Sequence, residues 1–212
     1  RRTDKIFDET AVVGVQEFAS RLQSGIVPTF ARWADFQAGV EIPEEERSQV
    51  NLQLDKITEY VFEVLQNSNF NQEVHEAFMD LAVGTGCMLV EEGDAVNPVK
   101  FTAVPLPKVC LLNGPDGKID TVYRTRKVKP EHVSVLYPRA VMPENFDLLQ
   151  QKKELVIIEA VYKIHQDNEE KYKYCVVLEN PKAVIFEEEY EGEGSNPYLV
   201  FRWNKASGEV YG

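Results

Sequence analysis

Apolar positions recur at steps of three and four through the first part of the chain and at steps of two through most of the rest. From about residue 9 to 83 the helical period holds. Val12, Val15, Ala19, Leu22 and Ile26 form one stripe, the mark of an amphipathic helix. Asp8 or Thr10 can cap its start, and Gly25 lies near its end. A loop around Trp33 follows, with Pro28 and Gly39 interrupting any helix. Pro43 then opens a second helix with Glu44, Glu45 and Glu46 in its first turn. Proline fits there because its missing N–H would be unpaired anyway, and carboxylates favour the positive end of the helix dipole. Val50, Leu54, Ile57, Val61 and Val64 line one face; Asn51, Asp55, Glu59 and Glu63 line another, and Asn67-Ser68-Asn69 ends the helix. A third helix is predicted from about Gln72 to Val83 on Val74, Phe78, Leu81 and Ala82, stopping at Gly84.

After Gly84 the period changes to two. Cys87–Glu91 and Val99–Pro105 read as strands around a Gly93-Asp94 turn. Val109–Asn113 and Lys118–Val128 flank Gly114-Pro115-Asp116-Gly117, a hairpin signal because glycine supplies the turn geometry and Asp folds back on the backbone. Residues 130–152 revert to short helical pieces broken at Pro138 and Pro143. Leu155–His165 and Lys171–Glu179 flank a second hairpin at Gln166-Asp167-Asn168-Glu169; Ala183–Tyr190 and Tyr198–Trp203 close the set. The expectation is an α+β fold, N-terminal helices followed by a mainly antiparallel β region. Its parts are a helical stretch at 1–84 and a β-rich stretch at 85–212 with a short helical insertion at 129–153. No β-helix-β unit repeats, which argues against a doubly wound nucleotide fold. The acidic run Glu187–Gly194 reads most simply as a solvated loop.

Composition narrows the class. The 212 residues are 43% hydrophobic and 27% charged, which excludes general disorder. No apolar run approaches the length of a membrane span. Arg1-Arg2-Thr3-Asp4 does not begin a signal peptide, and the sequence is expected to be a fragment of a longer chain. The net charge is −12, concentrated in residues 1–100, where 8 Lys and Arg face 18 Asp and Glu. Such a surface gains nothing from counterion release on a duplex, which disfavours tight DNA binding. Cys87, Cys110 and Cys175 are odd in number and scattered, so they read as packed small hydrophobes in a reducing compartment.

Motifs of chemistry are weak. Gly84-Thr85-Gly86 lies after a helix and before a strand, the reverse of the order a phosphate loop needs, and reads as a helix stop. Asp167-Asn168-Glu169-Glu170-Lys171 has an acid-x-Lys spacing used by some metal-dependent nucleases but sits at a hairpin tip. Glu44-Glu45-Glu46 point in different directions on a helix, so they make a poor metal cluster. His75-Glu76 lacks a second histidine four positions on, where Met79 stands, and His132 and His165 are far away in sequence. No Gly-x-Ser-x-Gly occurs. Arg124, Arg126, Lys127 and Lys129 form the one basic cluster, expected to be a salt-bridging surface strand rather than a nucleic-acid patch. These readings imply no catalytic, cofactor or metal residues.

The stretch from Asn196-Pro197-Tyr198 through Arg202-Trp203-Asn204-Lys205-Ala206-Ser207-Gly208-Glu209-Val210-Tyr211-Gly212 is more distinctive. It resembles a block of the head-to-tail connecting (portal) proteins of short-tailed bacteriophages. Phe7-Asp8-Glu9-Thr10-Ala11, Leu22–Pro28, Phe78–Met88, Val104-Pro105-Leu106 and Val122-Tyr123-Arg124 resemble further parts of the same family in the same order. Phe201, where a small residue or proline is expected, and the stretch 129–153 depart from it.

The resemblance implies a structural subunit with no enzymatic step. Its full-length form would assemble as a dodecameric ring at one capsid vertex of the virion, built in the cytoplasm of a bacterial host. It would dock the terminase motor, tail or adaptor proteins, and capsid or scaffolding protein, and double-stranded DNA would pass through without tight binding. The family block singles out Pro197, Tyr198, Arg202, Trp203, Lys205, Ser207, Gly208, Glu209, Tyr211 and Gly212 as motif or assembly residues. Two readings of that block compete. In one, Trp203 packs in the core and Ser207-Gly208 makes a turn ahead of a helix. In the other, Arg202, Lys205 and Glu209 form charge pairs between subunits. The alternative from another class is a metal-dependent nuclease or phosphatase using the acidic residues.

Overall fold

The computed structural model describes residues 8–144, 146–164, 170–192, 194–204 and 208–211. Helices come first and antiparallel strands follow, the α+β order expected from the change of period. The chain forms two compact units, Arg1–Ala103 and Val104–Gly212.

In the first unit, α1 (Thr10–Ile26), α2 (Glu44–Asn67) and α3 (Phe70–Leu81) precede the hairpin of β1 (Thr85–Glu92) and β2 (Val99–Ala103). Helix α3 is the centre of this unit: it packs on α1, β1 and β2 and buries Val74, Ala77, Phe78 and Leu81. It begins at Phe70, two residues before the expected start, because the Ser68 hydroxyl accepts the Phe70 N–H at 3.1 Å. Polar side chains at its start hold β2. Asn69 exchanges two hydrogen bonds with the Phe101 backbone, at 2.7 and 2.9 Å, and Glu73 accepts the Ala103 N–H at 2.7 Å. Thr85 and Gly86 belong to β1, with Thr85 buried, so the glycine motif is a helix stop running into a strand.

The two longer helices are covered less than their stripes suggest. Only Ala19 of α1 is fully buried, while Val12 and Ile26 are exposed. Only Thr58 of the 24-residue α2 is fully buried, because α2 is covered by a loop rather than by a helix. Residues 28–43 run along it as a strap. The Thr58 hydroxyl accepts the Phe36 N–H at 3.2 Å, Asn51 accepts the Ala38 N–H at 2.8 Å, and Arg32 bridges Asp35 and Asp55. Trp33 closes the strap by packing edge-on to Phe62, with ring centroids 5.3 Å apart, and stacking on Phe70 at 6.3 Å.

In the second unit a 3-10 turn at Leu106–Lys108 leads into β3 (Val109–Asn113) and β4 (Ile119–Val128). Two short helices follow, α4 (Pro130–Leu136) and α5 (Phe146–Leu149). Then come β5 (Leu155–Ile164), β6 (Lys171–Leu178), β7 (Ala183–Glu191) and β8 (Tyr198–Arg202). Strands β3 to β7 form one antiparallel sheet in chain order. The β3–β4 turn is tight: Gly117 adopts φ +73°, and a Cβ on Gly114 would fall 2.2 Å from an Asp120 carboxylate oxygen. The tip at 165–169 lies outside the described residues, but β5 and β6 pair up to Ile164 and Lys171.

The segment 129–153 supplies part of the core. Val133, Tyr137 and Leu149 pack on Val128, Leu155, Ile157, Val176, Leu178 and Ile185. The acidic run from Glu187 is strand rather than solvated loop, since β7 reaches Glu191. Basic partners take up its charge: Lys173 meets Glu187 and Lys171 meets Glu191, both at 3.1 Å, and Arg139 meets Glu188 at 2.7 Å.

Candidate functional site

The chemistry-bearing residues of the second unit converge on one carboxylate. Strand β5 reads Leu155-Val156-Ile157-Ile158-Glu159-Ala160-Val161. Side chains of a strand alternate between faces, so Glu159 shares the inward face with Leu155, Ile157 and Val161. It is 1% exposed. A charge in that position needs partners, because desolvation costs several kcal/mol if it stands alone. The register of the sheet supplies them. Arg124 stands directly across from Glu159 on β4 and Arg126 lies on the diagonal. Arg126 Nη1 donates to Oε1 at 2.9 Å, and Arg124 Nη1 lies 3.4 Å from Oε2.

Two hydroxyls complete the shell. The Tyr137 hydroxyl, at the C-terminal cap of α4, donates to Oε1. Tyr198 on β8 donates to Oε2 at 3.4 Å. Burial pushes the Tyr137 phenol far above its ordinary value, and the facing carboxylate adds to the shift. Burial opposes the charge on Arg126, but Glu159 outweighs it and holds the guanidinium above its usual value. Both carboxylate oxygens are thus engaged by cations and hydroxyls. The cluster carries no open carboxylate for substrate or metal; its chemistry is to lock β4, β5, α4 and β8 together. Arg124 Nε is buried without a hydrogen-bond partner among the described residues, a cost of about 1–3 kcal/mol that the cluster carries.

The basic cluster is therefore corrected in part. Arg124 and Arg126 turn inward because they share strand parity with Val122 and Val128, leaving Lys127 and Lys129 on the surface. Sequence reasoning missed Glu159 and Tyr137. A glutamate at the inward parity of a mainly apolar strand, beside a strand with two arginines at the same parity, was the available signal.

The distinctive C-terminal block has three described anchors in this unit. Tyr198 reaches Glu159, with its own N–H held by Asn196 Oδ1 at 2.9 Å. Arg202 Nη1 donates to the Val210 carbonyl at 2.7 Å. The Tyr211 hydroxyl accepts the Leu111 N–H at 3.0 Å and donates to the Val109 carbonyl at 3.5 Å. It thereby occupies the outer edge of β3, which would otherwise present free backbone groups. Pro197 is half-buried just ahead of β8. Gly208 adopts φ +86°, a conformation that favours glycine, and Glu209 is exposed. Trp203 is 65% exposed, which corrects the expectation that it packs in the core. The inward positions of β8 fall on Tyr198 instead. Lys205, Ser207 and Gly212 lie outside the described residues.

The remaining candidates do not converge. Among the described residues, no group of three or more His, Cys, Asp or Glu side chains is placed to hold a metal ion. Glu44, Glu45 and Glu46 are exposed on the first turn of α2. His75 Nδ1 meets Gln23 Oε1 at 3.0 Å, and Gln23 Nε2 donates to the Asn71 carbonyl at 2.8 Å. That makes Nδ1 the proton donor in a link between α1 and α3. His165, Asp167, Asn168 and Glu169 lie outside the described residues. Cys87 and Cys175 are buried, whereas Cys110 is exposed on β3, unlike the packed thiol expected. No described helix is long and apolar enough to cross a membrane.

A family model described as bacteriophage head to tail connecting protein matches residues 1–212. No curated protein matches the sequence.

Two outcomes follow from the cluster and its seal. The raised Tyr137 phenol stabilises the fold fully below the ordinary tyrosine value near 10, and that contribution is lost as pH rises above it. Urea unfolding between about pH 9 and 11.5 should therefore show stability falling by up to about 1.4 kcal/mol per pH unit from this group. Tyr137→Phe should flatten that slope. Tyr211→Phe leaves the Leu111 amide unpaired and should cost about 1 kcal/mol, with faster hydrogen exchange at Leu111 than in the wild-type protein.

Proposed function

Because the chain belongs to the bacteriophage head-to-tail connecting protein family, and so is a structural component of the virion that meets other head and tail proteins, we propose that it is a wall segment of a portal ring. The ring stands at one capsid vertex, and double-stranded DNA enters through it during packaging and leaves during ejection. The motor that drives packaging docks on one side and the tail or its adaptors later dock on the other. Capsid or scaffolding protein surrounds the ring, which is assembled in the host cytoplasm. The observation that carries this reading is the family match over the whole sequence.

The physical chemistry supports it. A head-to-tail contact repeated through a fixed rotation closes into a ring, the full-length assembly being a dodecamer. A net charge of −12 suits a conduit that lets duplex pass without gripping it. The central carboxylate is spent on Arg124, Arg126, Tyr137 and Tyr198, so the chain contributes shape and contacts rather than bond-making. Tyr198, Arg202 and Tyr211 act in this reading as structural seals.

Negative-stain microscopy of the full-length protein should show twelvefold rings, and incubation with Mg²⁺ and duplex DNA should leave the DNA intact. A monodisperse monomer that cleaves DNA would overturn the reading in favour of a nuclease.

A further inference from the structure

The strap at 28–43 is built inside out. Its polar groups turn inward: Arg32 to Asp55, the Phe36 and Ala38 amides to Thr58 and Asn51, and the Val40 and Ile42 carbonyls to Arg47 at 2.9 and 2.8 Å. Trp33 packs inward on Phe62 and Phe70, but three other apolar side chains turn outward. Phe30 is 95% exposed, Val40 90% and Phe36 50%. On α2 beside it Leu52 is also exposed, at 67%. Isolated exposed apolar residues need no explanation, but four on one strap and its supporting helix mark a contact surface. The surface is acidic: residues 28–67 hold eight carboxylates and three cations. Glu59 and Glu63 lie one turn apart on the exposed side of α2.

The second unit carries a cluster of lysines at one end of its sheet, Lys127, Lys129, Lys152 and Lys153, beside Glu131 and Glu154. Strand β4 ends and β5 begins at one end of the five-stranded sheet. Lys127 and Lys129 leave the sheet there, and Lys152 and Lys153 return to it. Lys129, Lys152 and Lys153 line one depression with Pro130, Glu131 and Gln150. The segment between these lysines also exposes apolar side chains, Val135 at 74% on α4 and Leu148 at 67% on α5.

We infer that the acidic, aromatic strap-and-α2 surface of one copy of the chain docks on the lysine cluster at the β4–β5 end of the next. The inference rests on the ring reading and names the faces that would close it. The occupant is a second copy because the chain itself offers the complement, a cluster of four lysines with exposed apolar residues in the segment between them. Two different faces meeting head to tail make the heterologous contact that generates a ring. The apolar residues supply the contact area, and the charges set register and exclude wrong partners. Duplex DNA, repelled by the strap's carboxylates, does not suit that surface.

Charge reversal in the full-length protein tests the pairing, with assembly read by native mass and negative stain, and folding by thermal melting. Glu59→Lys with Glu63→Lys should lower the assembled fraction at least tenfold while the melting temperature stays near wild type, since these side chains are exposed. Lys152→Glu with Lys153→Glu should do the same. An equimolar mixture of the two variants should restore rings, because alternating copies recover both complementary contacts; the quadruple variant should also assemble alone. Phe30→Ser should weaken assembly without lowering the melting temperature. Wild-type rings unaffected by either reversal, or reversals that neither the mixture nor the quadruple variant rescues, would overturn the pairing while leaving the ring reading intact. A wild-type protein that forms no ring would overturn both.

Discussion

Glu159 sets the terms for the second unit. A carboxylate at the centre of an apolar sheet cannot be hydrated and cannot be left unpaired, so the chain must bring cations and hydroxyl donors to it from separate elements. Arg124 and Arg126 arrive by strand register, Tyr137 by the end of α4 and Tyr198 by β8. The donors lie up to 39 residues from Glu159 in sequence. Satisfying one charge therefore fixes the placement of helix, sheet and C-terminal strand together. Such clusters add little net stability compared with an apolar core, but a misplaced element would strand a buried charge, so they penalise alternative packings. For a connector protein that meets other head and tail proteins, that penalty is useful.

The edges of the sheet show the same economy. An antiparallel meander ends in two strands with free backbone groups, and in a protein built to associate these edges invite wrong pairing. Tyr211 covers β3 through Leu111 and Val109. On the opposite edge the Val141 N–H donates to the Ile185 carbonyl at 2.7 Å, and Arg139 lies over the Phe186 ring, 5.4 Å from its centroid. The segment 129–153 thus serves as core lid and edge guard, and the C-terminal block as plug and edge guard. Both edges of the five-stranded sheet are thereby partly covered by side chains or backbone of the same unit.

Much of the fold was legible in the sequence because its signals are local. Pro43 with three glutamates placed the start of α2, and Gly114–Gly117 placed the β3–β4 turn. What escaped depended on distant partners. The run from Glu187 reads as solvated until Lys171, Lys173 and Arg139 are known to face it. Arg124 and Arg126 read as surface cations until Glu159 is placed opposite them. The α2 stripe reads as core, although a loop rather than a helix covers it. Trp203, the largest side chain of the distinctive block, reads as its anchor; the anchors are the smaller Tyr198 and Tyr211, because a hydroxyl was needed at each site. The candidate site was therefore legible as a block of residues but not as a mechanism of packing.

The central claim is that the buried Glu159 charge, and not the apolar area around it, obliges these elements to meet. Equilibrium urea unfolding of Glu159→Leu beside the triple variant Glu159→Leu, Arg124→Met, Arg126→Met measures it most directly. The account predicts that the single change, which strands two guanidinium groups, costs about 3–5 kcal/mol, and that the triple change recovers most of that loss. A single variant as stable as wild type, or a triple variant no more stable than the single, would contradict it.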